Sequence, residues 1–147
     1  ELLTINKADW TLVAKTGDKV LGLHIPGGRP MDFEEAKRTL PLALDFFKKY
    51  RGVDAKLITC ESWILNDQWL DRLSPESNLV KFMKYGHIFK FPLFNPQEGI
   101  FFVFGHDKID PSTHKADNKL QQEMINMLND GIPVKAGGIY FTRDMIS

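Results

Sequence analysis

Val20-Leu-Gly-Leu-His-Ile-Pro-Gly-Gly-Arg-Pro-Met31 decides how this chain is read. An apolar strand runs through a double glycine into a helix that Asp32 is spaced to cap. A strand, a Gly-rich turn and a helix start together make a recurrent anion site. The first helical N–H groups have no partner within the helix and lie at the positive end of its dipole, so a phosphate is held there without a dedicated side chain. The same residues also fit a tight turn that binds nothing, because glycine is the default wherever φ is positive. A phosphate-bearing ligand and a plain turn are both open at this point.

Upstream, residues 10–15 and 19–25 are rich in apolar side chains and flank Thr16-Gly17-Asp18, the pattern of a β-hairpin. Downstream, Asp32 and Glu35 have capping-box spacing, and Phe33, Ala36, Leu40, Ala43, Phe47 and Tyr50 recur at helical intervals. This predicts a helix to about residue 49, kinked or broken at Pro41 and ended by Gly52. Residues 55–61 form a short β-like run that carries Cys60. Asn66 is placed to cap a brief helix through Leu73 that turns Trp69, Leu70 and Leu73 inward. Ser74 and Pro75 suit the N-cap and first position of a helix to Tyr85, with Leu79, Phe82 and Met83 inward and Gly86 as its stop. Nearly continuous apolar runs at 88–94 and 100–104 predict two strands at the centre of a sheet. A helix over 112–130, ended by Gly131 and Pro133, and a strand over 138–142 complete the order β-β-α-β-α-α-β-β-α-β. The fold class is α/β, a mixed central sheet with helices on both faces.

With 147 residues, 43% of them hydrophobic, the chain makes one domain that buries roughly 70% of its unfolded surface. Lys plus Arg equals Asp plus Glu at 19 each, so no global field draws in nucleic acid or an anionic membrane. Cys60 is the single cysteine and no apolar run approaches the length of about 20 residues that spans a bilayer, which fits a cytoplasmic setting. The chain starts at Glu1 without a signal-peptide pattern, and is expected to be the C-terminal part of a longer protein. His106 and His114 have no ligand-like spacing with Cys60, so no metal is expected. Open strand edges at the hairpin would allow a homodimer.

The element order resembles the cofactor-binding half of the GNAT superfamily of N-acetyltransferases. Four blocks narrow the resemblance: Leu23-His-Ile-Pro-Gly-Gly28, Cys60-Glu-Ser-Trp-Ile-Leu65, Ser77-Asn-Leu-Val-Lys-Phe82, and Lys119-Leu-Gln-Gln122 ahead of Gly131. Together they are similar to the bacterial GNAT-like C-terminal domain, over residues 10–141. The resemblance implies acetyl-CoA or another acyl-CoA as cosubstrate, with its pyrophosphate on Gly27, Gly28 and Arg29 and the next helix start. It also implies a pantetheine arm in a cleft where strands 19–25 and 55–61 splay apart, and a backbone amide near Leu23 to Ile25 polarising the thioester carbonyl. The acceptor would be a small-molecule or peptide amine, reached partly through a missing N-terminal domain. Amine attack needs a base and the departing thiolate an acid. His24 and Glu61 are the base candidates; Tyr85 and Cys60 are the acid candidates.

Two readings remain open. Arg29 and the four blocks favour an acyltransferase. Asp32, Glu34 and Glu35 around the helix start repel a phosphate, and Phe82 stands where the superfamily often has a Tyr, which together favour a non-catalytic binding or support module.

Overall fold

The computed structural model describes residues 4–27, 30–91 and 96–146. The elements in chain order are β1 (Leu21–Gly22), α1 (Phe33–Arg51), β2 (Leu57–Ser62), α2 (Gln68–Arg72), α3 (Asn78–Tyr85), β3 (His87–Phe91), α4 (Pro96–Phe104), α5 (Lys119–Asn129), β4 (Ala136–Thr142) and α6 (Arg143–Ile146). The four strands form one mixed sheet in the order β1-β2-β4-β3. The β1 and β2 pair is parallel and the other two pairs are antiparallel. Among the described residues no helix is long and apolar enough to cross a membrane.

Local chemistry explains most of the helix ends. Asp32 caps α1 by accepting from the Glu35 amide at 3.0 Å, and Gly52 closes it in the left-handed region at φ 65°. Pro41 lies inside α1, which runs on through it without a break. Leu40 and Leu44 are buried, whereas Phe47 and Tyr50 are 38% and 62% exposed, so the core-facing stripe is shorter than the spacing suggested. The cap of α3 is Ser77, whose Oγ accepts from the Val80 amide at 3.3 Å. Ser74 instead holds a preceding turn through the Glu76 amide, which moves the helix start three residues on from the expected place. Similarly, α5 begins only after Asn118, whose side chain accepts from the Gln121 amide, because Asp110 folds residues 110–113 into a turn by accepting from the Ser112 amide and hydroxyl.

Two strand expectations fail for identifiable reasons. Residues 10–15 are unpaired although the turn beside them closes, with the Asp18 amide donating to the Lys15 carbonyl at 3.0 Å. Gly17 alone has positive φ in that turn, at 94°. A hairpin needs positive φ at the first central residue; with it only at the second, the twist splays the arms and the ladder does not grow. Residues 100–104 are not a strand but the end of α4. Ile100, Val103 and Phe104 face the core while Phe101 and Phe102 are 48% and 67% exposed, a helical repeat hidden inside an all-apolar run. The central place expected for that run belongs to β4, and β3 is an edge strand. Residues 92–94, the end of the strand expected over 88–94, lie outside the described residues.

One face of the sheet carries the core. Ile58 and Cys60 of β2 and Ile139 and Phe141 of β4 join Leu40, Leu44, Leu79, Phe82, Met83, Met124 and Met127 in a single cluster. The rings of Phe82 and Phe141 lie 5.2 Å apart. Gly86 matters here for closeness and not for its φ of −109°, since a Cβ on it would come within 2.6 Å of the Ile139 side chain. Asn66, 2% exposed, ties the end of β2 to the start of β4: its Nδ2 donates to the carbonyls of Trp63 at 2.7 Å and Lys135 at 2.9 Å, and its Oδ1 accepts from the Gln68 amide.

Candidate active site

The parallel pair is where the sheet opens. Leu21 is opposite Ile58 and Gly22 opposite Thr59, and the Leu23 amide donates to the Thr59 carbonyl at 2.7 Å. That is the last rung. Beyond it, among the described residues, no backbone bond joins the two segments, while β2 continues to Ser62 paired only with β4. The next rung of a parallel ladder would run from the Glu61 amide to the Leu23 carbonyl. Where it is missing the two segments are free to part, and the space between residues 23–27 and the end of β2 is the candidate cleft.

Alternation along the strands sorts the candidate residues between the two faces of the sheet. His24 and Glu61 lie on the face of Gly22 and Thr59; both are exposed and both stand just past the last rung. Cys60 points the other way, into the core, at 3% exposure. Burial, with Glu61's charge as the lesser cause, pushes its thiol up to about 11. Tyr85 is also on the core side, half-buried against Phe141 at 5.8 Å and edge-on to Phe33. Its hydroxyl donates to the Met145 carbonyl at 3.3 Å. Alternation therefore sets His24 and Glu61 on one face of the sheet and Cys60 and Tyr85 on the other.

Ile25 packs its side chain against the core edge, and Gly27 is an exposed turn residue with open space around its Cα. Gly28 and Arg29 lie outside the described residues. Past them, Asn78 donates to the Met31 carbonyl at 2.7 Å and fixes the approach to α1. Of the three acidic side chains at this helix start, Asp32 occupies the Glu35 amide, and Glu35 is held by both a 2.6 Å and a 3.2 Å contact from Arg38, which offsets its charge. The amides of Phe33 and Glu34 have no acceptor among the described residues.

The sequence did not bring Thr59, Tyr140 and Phe89 to the cleft-side face. Thr59 lies opposite Tyr140, and Tyr140 opposite His87, in one row across the sheet. Glu61 lies opposite Gly138, and Gly138 opposite Phe89, in the next. The signal was the period of two around Gly138, obscured because β4 was expected to start there and not at Ala136.

The model of the GNAT-like C-terminal domain matches residues 4–140, nearly the whole chain. This protein belongs to that family. No curated protein matches it. Among solved structures, this GNAT-like domain is similar to an acyltransferase in complex with decanoyl-CoA, with a TM-score of 0.76, 24% identity, and coverage of 88% of this chain and 42% of that one. It is also similar to an acyltransferase in complex with CoA and 10C-teicoplanin, with a TM-score of 0.75, 20% identity, and coverage of 88% and 42%. These likenesses place the GNAT-like chain in the same mixed α/β fold, and it spans less than half the length of either neighbour.

Proposed function

We propose that this domain binds an acyl-CoA in the cleft between residues 23–27 and β2 and forms the cofactor-binding portion of an N-acyltransferase. The observation that carries the reading is the ladder that stops at the Leu23 to Thr59 rung within a GNAT-like C-terminal domain. With the Leu23 amide already used, the next amide that alternation turns toward β2 is that of Ile25, which is suited to polarise the thioester carbonyl. The Phe33 and Glu34 amides, without an acceptor among the described residues, would receive the pyrophosphate together with Gly27, Gly28 and Arg29. Solved relatives of the fold hold decanoyl-CoA and octanoyl-CoA, so medium acyl chains belong in the first trial beside acetyl-CoA.

Chemically, the acceptor amine must lose a proton as its nitrogen attacks the thioester, and the CoA sulfur must gain one as the C–S bond breaks. Glu61 and His24 stand at the cleft mouth for the first task. Buried and with its thiol pushed up to about 11, Cys60 is a poor nucleophile and stays a proton holder or a core residue. Part of the acceptor site would come from a further N-terminal domain, and the single buried thiol accords with a cytoplasmic setting. The second reading, a non-catalytic module, is favoured by one observation: Asp32 fills the Glu35 amide at the phosphate end of the cleft.

Calorimetric titration with acetyl-, octanoyl- and decanoyl-CoA separates the two. Micromolar binding that weakens in Arg29→Ala and in Gly28→Asp supports the cofactor site. A folded chain that binds none of the three, alone or within the longest available form of the protein, supports the module.

A further inference from the structure

We propose that the outward face of α1 pairs antiparallel with the same face of a second copy of this chain, about a two-fold axis level with residue 47.

Helix α1 carries two apolar faces. At about 100° per residue, Phe46 stands about 120° round the helix from Leu40 and about 160° from Leu44, the two side chains that α1 buries in the core. Leu42 and Tyr50 lie four residues to either side of Phe46 and share one ridge with it. They are 53%, 52% and 62% exposed for Leu42, Phe46 and Tyr50, so nothing among the described residues covers that ridge. The Phe46 ring lies 5.1 Å from that of Tyr50 and 5.6 Å, edge-on, from that of Phe47. Single exposed apolar side chains are ordinary, but a contiguous second stripe on a helix that already has a buried one marks an interface.

The spacing of the ridge selects a second copy as the occupant. Two antiparallel ridges with a repeat of four interleave when they are offset by half a repeat, which puts the two-fold axis level with residue 45 or residue 47. With the axis at 47, Tyr50 enters between the partner's Phe46 and the partner's Leu42, about 3 Å along the helix from each. Charges on the rim decide between the two registers. Asp45 and Lys49 follow one flank of the ridge, and a two-fold axis sets that flank against itself, reversed. An axis at 45 would put Asp45 against the partner's Asp45. An axis at 47 puts Asp45 against the partner's Lys49 and Lys49 against the partner's Asp45, so the register that pairs opposite charges is also one that interleaves the ridge.

Both rim groups are available. Asp45 lies 3.6 Å from Arg143 of its own chain, yet its side chain is 73% exposed and open to a second cation. Lys49 is exposed and rests its ammonium over the Tyr50 ring at 5.0 Å, at the border of the ridge. With 19 cationic and 19 anionic side chains, two copies approach without net repulsion. A rim of both signs suits this pairing and not an anionic membrane, which asks for cations alone.

Sedimentation velocity over a concentration series tests the pairing. The expected result is a reversible monomer–dimer equilibrium. Phe46→Glu, at an exposed helical position that leaves the circular dichroism spectrum unchanged, should weaken it by at least about tenfold. Asp45→Lys and Lys49→Glu should each weaken it by about fivefold, and the double variant, which carries the same pair reversed, should return to within about twofold of the original. A chain that is monomeric throughout, a Phe46→Glu variant that dimerises as before, or a double variant no stronger than the single ones overturns the pairing. So does a longer form of the protein that stays monomeric and in which Phe46→Cys resists thiol labelling, because the rest of that protein then occupies the face.

Discussion

Replacing Asn66 by Ala should destabilise the domain by about 3 kcal/mol, because three polar groups lose their partners where water has little access. The side chain is 2% exposed and makes bonds of 2.7, 2.9 and 3.0 Å to the Trp63 carbonyl, the Lys135 carbonyl and the Gln68 amide. Each group left unsatisfied costs at least about 1 kcal/mol, and for a chain of this size that sum lowers Tm by roughly 10 °C. Urea and thermal unfolding followed by circular dichroism measure both numbers. Asn66→Asp refines the test, since the carboxylate keeps the acceptor oxygen but turns a second one toward two carbonyls. At pH 7 it should be at least as damaging as Ala; on lowering the pH through the raised pKa of that carboxyl, the protonated form donates again and part of the loss returns. A loss under about 1 kcal/mol for Ala, or an Asp variant that weakens on acidification relative to wild type, refutes the reasoning. The function is tied to the same clamp, because Asn66 holds the β2 end, Ser62 opposite Gly137, that forms one wall of the cleft.

Two further perturbations follow from the close approaches and the buried thiol. Gly137→Ala would place a Cβ on the Leu65 carbonyl, a backbone atom that cannot move aside, and should cost about 3 kcal/mol or more, whereas Gly138→Ala displaces only the Phe89 ring and should cost less; paired urea titrations rank the two. Folding raises the Cys60 thiol from 9.0 to about 11, so the unfolded chain gives up that proton first, and stability should fall by up to about 3 kcal/mol as pH rises from 9 to 11. The slope should vanish in Cys60→Ala measured over the same range, and an identical slope in that variant means other groups account for it.

Caps and turns written in short spacings were legible in the chain. Asp32, Gly52 and Gly131 each act where their spacing put them, because such bonds depend on residues three or four apart and on nothing distant, while Glu35 turns its carboxylate to Arg38 and leaves the capping box half made. Ser77 outcompeted Ser74 as a cap because both satisfy the same local rule, and only the packing of Leu79, Val80 and Phe82 against the core chooses between them. The 100–104 run illustrates the opposite limit. When every residue is apolar, neither a period of two nor one of 3.6 is visible, and the choice of helix is made by what the run packs against. The candidate site was legible as far as a single strand reaches: His24 and Glu61 were found, and the structure sets them on one face. Tyr140, His87 and Phe89 join them through cross-strand register, which long-range pairing alone determines.

Pro41 has a consequence for motion. Lacking an amide hydrogen, it cannot donate to the Lys37 carbonyl, so α1 is missing one rung about two turns from its start. The turns before Pro41 are thereby held to the rest of the helix more weakly than an unbroken ladder would hold them, and their amides should exchange with solvent faster than those from Leu44 onward. Those early turns are the ones that would meet the pyrophosphate in the proposed acyl-CoA site. A ligand seated there would lend acceptors to the Phe33 and Glu34 amides, which have none among the described residues, and its arrival would register as slowed exchange in residues 33–36 while the second half of α1 stays as it was.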